Sequence, residues 1–506
     1  MIRDTGLRRQ WRICLCFAKM SRRRCCENRL QSASAAISSN GLFRGLCVAE
    51  RSPSPDHLSG APMRRFPHMP AAGLCIALLF QAVVLYHVLA PWTTPDSPTY
   101  SILAQALANG SLHGPDGAPD TIRSPGYPAW LYFFRHIAGL SDGAIIALQL
   151  ALYLGAIGFG FLLAERERSS GAVFVCLALV TPSLPAYCAQ FMAEAPAVFL
   201  MTLLVWMTGR RTDWRVSTAL AVGLVAGLLV MVRADLLPMA MLCALLAGWK
   251  GRHGGYGRSC LLGAVVLLGA TAVSLPYMVR NARLCGIPSP VPVTGAVGYS
   301  LYLSTWEPEL PSRDLGEYHL GIVSPRLTES GYLAESRRLC RVLGVPENTC
   351  LHAPTAIPAP LRAQGNRILF AAAMERIRAH PAEFGKHVAW KWWRLFQPEA
   401  YPEKVPSAVV GFLRVTGGIV WILAFGHALF ALWQRRDAVA MWLAAVLLVV
   451  PLPHLVLHTE ARYTAAVRLV LLLHATFAIT RLRAWRRMQR GLAGTDASIA
   501  DGATWR

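Results

Sequence analysis

The sequence predicts an all-α polytopic membrane protein, and three observations predict it. The 506 residues are 54% hydrophobic and only 15% charged, with a mean hydropathy of +0.38, well outside the usual composition of a soluble domain. About ten apolar segments reach or approach the length that crosses a bilayer. Lys and Arg are concentrated in alternate connections between those segments, as the positive-inside bias of membrane proteins requires.

Residues 1–68 are rich in Arg, Ser and Cys, lack helical or strand periodicity, and contain no apolar run long enough for a cleavable signal. Disorder is expected there. Either this stretch is a cytoplasmic tail or translation starts at Met63, whose Met-Arg-Arg feeds directly into the first apolar run. A first membrane module, 69–280, holds apolar segments at 72–90, 143–163, 171–187, 193–208, 216–231, 236–249 and 260–278. Arg233-Ala234-Asp235 either separates two short helices or interrupts one long one. Residues 281–407 are too polar to span and form an expected cap, partly helical. Its stretch 366–396 has apolar residues at helical spacing, a break at Pro381, and Trp390, Trp392 and Trp393 beside Lys391 and Arg394, the pattern of an interfacial helix. A second membrane module, 408–482, holds segments at 409–432, 438–457 and 464–480, and 483–506 is a basic tail.

The net charge of +22 does not indicate nucleic acid, because no basic face is interleaved with aromatic residues. Topology accounts for it. Arg64 and Arg65, Arg166 and Arg168, Arg210, Arg211 and Arg215, Lys250 to Arg258, Arg435 and Arg436, and the Arg481 to Arg490 cluster fall on one side, which makes that side the cytoplasm and places both termini in it. The thirteen cysteines lack paired zinc-ligand spacing. Only Cys340 and Cys350 stand close together in a long polar stretch, where an oxidising compartment would allow a disulfide. No Walker, dinucleotide-glycine, nucleophile-elbow or HExxH motif is present, so no cofactor or metal is implied.

The opposite face gathers ionisable groups from five connections: Asp96 and Arg123 in the first external loop (91–142), Glu194, Arg233 with Asp235, Arg280, and Glu460 with Arg462. Charges at the edge of hydrocarbon are costly unless they pair or bind something, so their convergence marks a candidate site. Asp96-Ser97-x-x-Tyr100, Arg123-Ser-Pro-Gly-Tyr127-Pro, Glu194 opening a helix, Arg280-Asn281 closing another, and Glu460-x-Arg462-Tyr463 together resemble the GT-C superfamily of membrane glycosyltransferases. The likeness is to the branch with protein O-mannosyltransferases, aminoarabinose transferases and related bacterial polyprenyl-phosphate-sugar transferases. It covers roughly 72–480.

The resemblance implies inverting transfer of a sugar from a polyprenyl-phosphate donor to a glycan, lipid or protein acceptor, at the extracytoplasmic face of a bacterial inner (plasma) membrane and without a nucleotide. Asp96 and Glu194 are then the catalytic acids, and Arg123, Tyr127, Arg280, Glu460, Arg462 and Tyr463 bind substrate. This chain carries Asp96-Ser97 where many relatives have Asp-Glu, so no second acid or metal role transfers to this loop.

Each residue also has a plainer reading. Asp96 suits a helix N-cap, Glu194 suits the positive end of a helix dipole, Arg280 suits a helix end, and the tyrosines suit an interfacial belt. Arg123 could snorkel to the interface and Arg462 could simply pair with Glu460. The rival function is a transporter or flippase, which would also have many helices. Transporters usually place their charges at the midplane on broken helices and show inverted repeats, whereas these groups collect at one face.

Overall fold

The computed structural model describes the chain from Ala71 to Gly502 with breaks, the longest at 311–328, 350–356 and 396–406. The stretch 1–68, Cys350 and Glu460 lie outside the described residues. Within them the regular structure is helical, apart from an isolated bridge between His113 and Pro119. The first part comprises α1 (Ala71–Val88), α2 (Ser97–Ala108), α3 (Gly126–Tyr132), α4 (Asp142–Arg166), α5 (Gly171–Leu179), α6 (Ser183–Cys188), α7 (Glu194–Arg210), α8 (Val216–Val232), α9 (Leu237–Gly251) and α10 (Tyr256–Cys285). The cap carries α11 (Val297–Trp306), α12 (Tyr332–Leu343), α13 (Arg362–Ala379) and α14 (Pro381–Leu395). The chain then returns to apolar helices in α15 (Ser407–Gln434), α16 (Ala438–Val449), α17 (Leu452–Val456) and α18 (Ala465–Gly502).

Six stretches among the described residues are long and apolar enough to cross a membrane: Asp142–Arg166, Ala234–Gly251, Tyr256–Leu284, Arg414–Gln434, Ala438–Val456 and Arg462–Arg487. Three shorter apolar helices occupy Cys75–Val88, Glu194–Gly209 and Val216–Val232. The expected segment 171–187 is not one span. It divides into α5 and α6, because Thr181 Oγ1 turns back to the Leu177 carbonyl at 2.8 Å and the sequence Thr-Pro-Ser-Leu-Pro interrupts the backbone ladder. The Arg233 connection separates two helices: α8 stops at Val232, a single 3₁₀ turn follows, and α9 begins with a proline in its first turn.

The main core runs through α4, α5, α7, α8, α9, α16 and α18. A second cluster sits inside the cap, where Trp306 and Tyr332 meet edge to face at 5.2 Å between ring centroids. The expected break at Pro381 is present, with the proline as the first residue of α14. Lys391, expected at an exposed interfacial surface, is instead fully buried, for a reason given below. The last helix continues without interruption past residue 482 to Gly502.

Small residues set the close contact between α8 and α10. Gly223 and Gly227 on α8 lie one turn apart; a Cβ at Gly223 would clash with the Val266 carbonyl, and one at Gly227 would sit 2.7 Å from the Ala270 carbonyl, both on α10. Membrane helices associate by this backbone approach because lipid supplies little hydrophobic drive between them. Gly223→Val should therefore lower the unfolding temperature of the detergent-solubilised protein, at a cost of about 1–3 kcal/mol from overpacking. Gly158→Ala, where an added Cβ meets nothing within 4 Å, should be neutral or mildly stabilising.

Candidate active site

The first external loop is built around an unusual backbone at Trp92, whose φ of 60° is left-handed. A bulky residue holds that conformation only when its surroundings fix it. Here the indole Nε1 donates to the Tyr86 carbonyl at 2.6 Å and the backbone N–H donates to Leu89 at 2.7 Å. The Trp92 carbonyl accepts from Phe191 N–H at 3.0 Å, and Ser97 Oγ donates to the Phe191 carbonyl at 3.1 Å. The loop is thus laced to the turn that precedes Glu194. Asp96 occupies the N-cap position of α2, yet its carboxylate makes no capping bond. It turns away from the helix: Oδ1 accepts from Arg123 Nη2 at 2.6 Å, and Oδ2 lies 2.7 Å from Arg462 Nη1.

Arg123 is delivered by the stiff Arg-Ser-Pro-Gly-Tyr-Pro turn. Gly126 in that turn is required by close approach, since a Cβ there would lie 2.5 Å from the Met231 carbonyl at the end of α8. Two more bonds hold the same junction: Ala234 N–H donates to Ser124 Oγ at 3.1 Å, and Tyr277 OH donates to the Arg123 carbonyl at 3.3 Å. The guanidinium of Arg123 lies over the ring of Tyr100 at 5.2 Å.

Beside this pair sits a second ionic group. Arg233 Nη1 donates to Glu194 Oε1 at 3.0 Å, while its Nε and Nη2 grip both oxygens of Asp235 at 3.2 and 2.8 Å. His454 Nε2 is 3.0 Å from Asp235 Oδ2. Tyr463 joins the two groups, because its ring stacks on His454 at 5.0 Å and lies 5.4 and 5.5 Å from the guanidinium carbons of Arg233 and Arg462. Three carboxylates thus meet three guanidinium groups at one end of the apolar helices.

Burial alone would raise the Asp96 carboxyl, but Arg123 and Arg462 outweigh it and hold the group well below the usual carboxylate range. The contribution of this pairing to stability is therefore complete above the ordinary aspartate value. It is lost only as pH falls through the depressed value, in strong acid. So strongly clamped a carboxylate is a poor proton acceptor while both arginines remain on it.

The structure brings together Asp96, Glu194, Arg123, Arg462 and Tyr463 from three separate connections. Tyr127 lies beneath them: it is fully buried, its OH donates to Gln149 Oε1 at 2.8 Å, and its ring supports Tyr100. Arg280 stands apart from the Asp96 carboxylate, donating to the Leu112 carbonyl at 3.1 Å and so bracing the outer part of the loop. The sequence places Arg233 and Asp235 among the convergent charges without assigning either a catalytic or binding role, and it does not single out His454. The first two carried a signal, a charged pair between apolar runs, whereas His454 was hidden within an apolar segment and marked only by its neighbouring prolines. Among the described residues, no group of three or more His, Cys, Asp or Glu is arranged to hold a metal ion.

Arg233 and Glu194 are only 8% and 5% exposed in their side chains. Removing the cation would strand a buried acid, so Arg233→Leu should destabilise the protein by about 3–5 kcal/mol. Adding Glu194→Gln should restore part of that loss. Thermal unfolding of the single and double variants measures both effects.

No family model matches the chain, and no curated protein matches it. Two solved chains do align: the crystal structure of ArnT from Cupriavidus metallidurans bound to undecaprenyl phosphate, at 15% identity and a TM-score of 0.33 over 81% of this chain and 78% of that one, and the same protein in the apo state, at 16% identity and a TM-score of 0.35 over 80% and 78%. Overlap at this identity and score is a likeness only, and the functional reading rests on the residues of this chain.

Proposed function

We propose that the chain is a GT-C-type membrane glycosyltransferase that moves a sugar from a polyprenyl-phosphate donor to the hydroxyl of a glycan, lipid or protein acceptor, with inversion. Its site faces the extracytoplasmic side of an inner (plasma) membrane, and both termini are cytoplasmic. The observation that carries this reading is the double clamp on Asp96, in which one carboxylate holds two arginines drawn from distant parts of the chain. Guanidinium groups are the natural partners of a phosphate, and a carboxylate is the natural acceptor of a hydroxyl proton. The clamp joins the two functions in one exchange.

When the donor's phosphate takes up hydrogen bonds from Arg462 and Arg123, Asp96 loses counter-ions and its affinity for a proton rises. The acceptor oxygen then attacks the anomeric carbon from the face opposite the phosphate. As that bond forms and the bond from the anomeric carbon to the phosphate oxygen breaks, the hydroxyl proton passes to Asp96. The lipid phosphate departs with the bonding electron pair, stabilised by the arginines. Glu194 acts through Arg233, holding it against Tyr463, Arg280 serves the rim of the donor site, and Glu460 is assigned to substrate binding from its sequence motif alone.

Single-turnover transfer from a labelled polyprenyl-phosphate sugar, with a separate donor-binding assay, tests this directly. Asp96→Asn should keep donor binding and lose about 10²–10⁴-fold in rate, the usual value of general-base assistance. Arg462→Ala should weaken binding and slow transfer together, because it touches phosphate in both ground and transition states. Labelled lipid crossing the bilayer without turnover would overturn the reading in favour of transport.

The exchange also predicts a pH signature. The profile of kcat/KM reports the free enzyme, in which Asp96 stays ionised down to strong acid, whereas that of kcat reports the donor complex. The acid limb of kcat should therefore lie about one unit or more above that of kcat/KM. Coincident limbs would show that the donor does not draw the arginines from Asp96.

A further inference from the structure

Deep in the cap lies an ionic cluster that the proposed chemistry does not use. Lys391 on α14 is fully buried, and an ammonium has three donors and no acceptor. Its partners are Glu307 Oε2 at 2.7 Å, Ser304 Oγ at 2.5 Å and the backbone carbonyl of Leu457 at 2.7 Å. Glu307 Oε2 also lies 3.1 Å from His387 Nε2, one helical turn before Lys391. Glu307 and His387 are themselves buried. Placing a lysine, a glutamate and a histidine out of water is expensive, and replacing such a group by apolar side chains commonly costs nothing in stability. A purely structural purpose is therefore a weak explanation for it.

The third partner points to another one. Leu457 is the C-cap residue of α17, and the chain re-enters regular structure at the turn Ala461–Thr464, which carries Arg462 and Tyr463. The far end of that turn is tied to the same helix, because Thr464 Oγ1 donates to the Leu395 carbonyl at 2.6 Å. Lys391 and Leu395 are one helical turn apart, so the last turn of α14 grips the Arg462 connection at both ends. We propose that Lys391 is a positioning residue for Arg462, with Glu307 fixing its ammonium, so that cap helices α11 and α14 set the height and direction of the guanidinium that meets the donor phosphate. This inference rests on the proposed role of Arg462.

Two measurements on the full-length protein in detergent test it. In the first, amide hydrogen exchange is compared between wild type, Lys391→Met and Thr464→Val. Lys391→Met should raise exchange in the Ala461–Thr464 turn by tenfold or more, with α4 and α7 unchanged, and Thr464→Val should do the same more mildly. Unchanged exchange in that turn overturns the inference whatever the site binds.

In the second, binding of undecaprenyl phosphate is measured in micelles. Lys391→Met should weaken it about tenfold, and Lys391→Met combined with Arg462→Ala should bind no worse than Arg462→Ala alone, because residues acting as a unit are non-additive. Additive losses, or a loss of melting temperature with normal binding, would make Lys391 merely structural and overturn the proposal. If Lys391→Met fails to fold, Thr464→Val carries both tests, since it removes one hydrogen bond and leaves the charges in place. Equal binding by wild type and Arg462→Ala would refute the donor-site reading instead, and the exchange measurement would still decide whether Lys391 holds the turn.

Discussion

The arrangement depends on the need to pair charges where apolar helices end. A guanidinium or carboxylate at that depth has little water to solvate it, so each must find an opposite charge with good geometry. Asp96 meets this need for two arginines at once, and Arg233 meets it for two acids. The two groups share Tyr463, so the ring and the ions fix one another. The helices supply a frame, but it is the ion pairs that choose which ends of the helices come together.

This explains the division of labour between loops and helices. The first loop buries Ala104, Tyr127 and Leu131 in an apolar cluster with Ile145, Leu150 and Phe191, and hydrogen bonds lace it to the chain near Phe191 and to the turn after α8. Gly126 permits the second of these contacts and the strained Trp92 is held by the first group. The cap repeats the principle with different chemistry, using an aromatic core for its shape and a lysine for its attachment to the membrane part.

Much of this was legible in the residues. Polytopic helical character followed from apolar length, which is a linear property of a sequence. The break at Pro381 was equally readable, because proline acts locally. Pairing was not. Asp96 read alone was an unremarkable N-cap, and only the fold reveals that its partners lie 27 and hundreds of residues away. Lys391 among tryptophans matched an interfacial helix in every local respect, and its burial depends on Glu307 and Leu457, which no periodicity links to it. The segment expected at 171–187 divides into two helices for the opposite reason: composition is apolar throughout, while one threonine and two prolines decide the backbone.

The final helix gives the molecule a property that no single site residue possesses. The stretch Arg462–Arg487 is continuous, and 78% of its apolar window is buried inside the bundle. At 1.5 Å per residue its 26 residues span about 39 Å, more than the hydrocarbon thickness of roughly 30 Å. Beyond the bundle its basic end is exposed, with Leu482 and Trp485 uncovered among the arginines, and such side chains settle at a lipid headgroup layer. A rod anchored in one headgroup layer makes the level of its opposite end, which the Ala461–Thr464 turn adjoins, respond to the thickness of the surrounding bilayer.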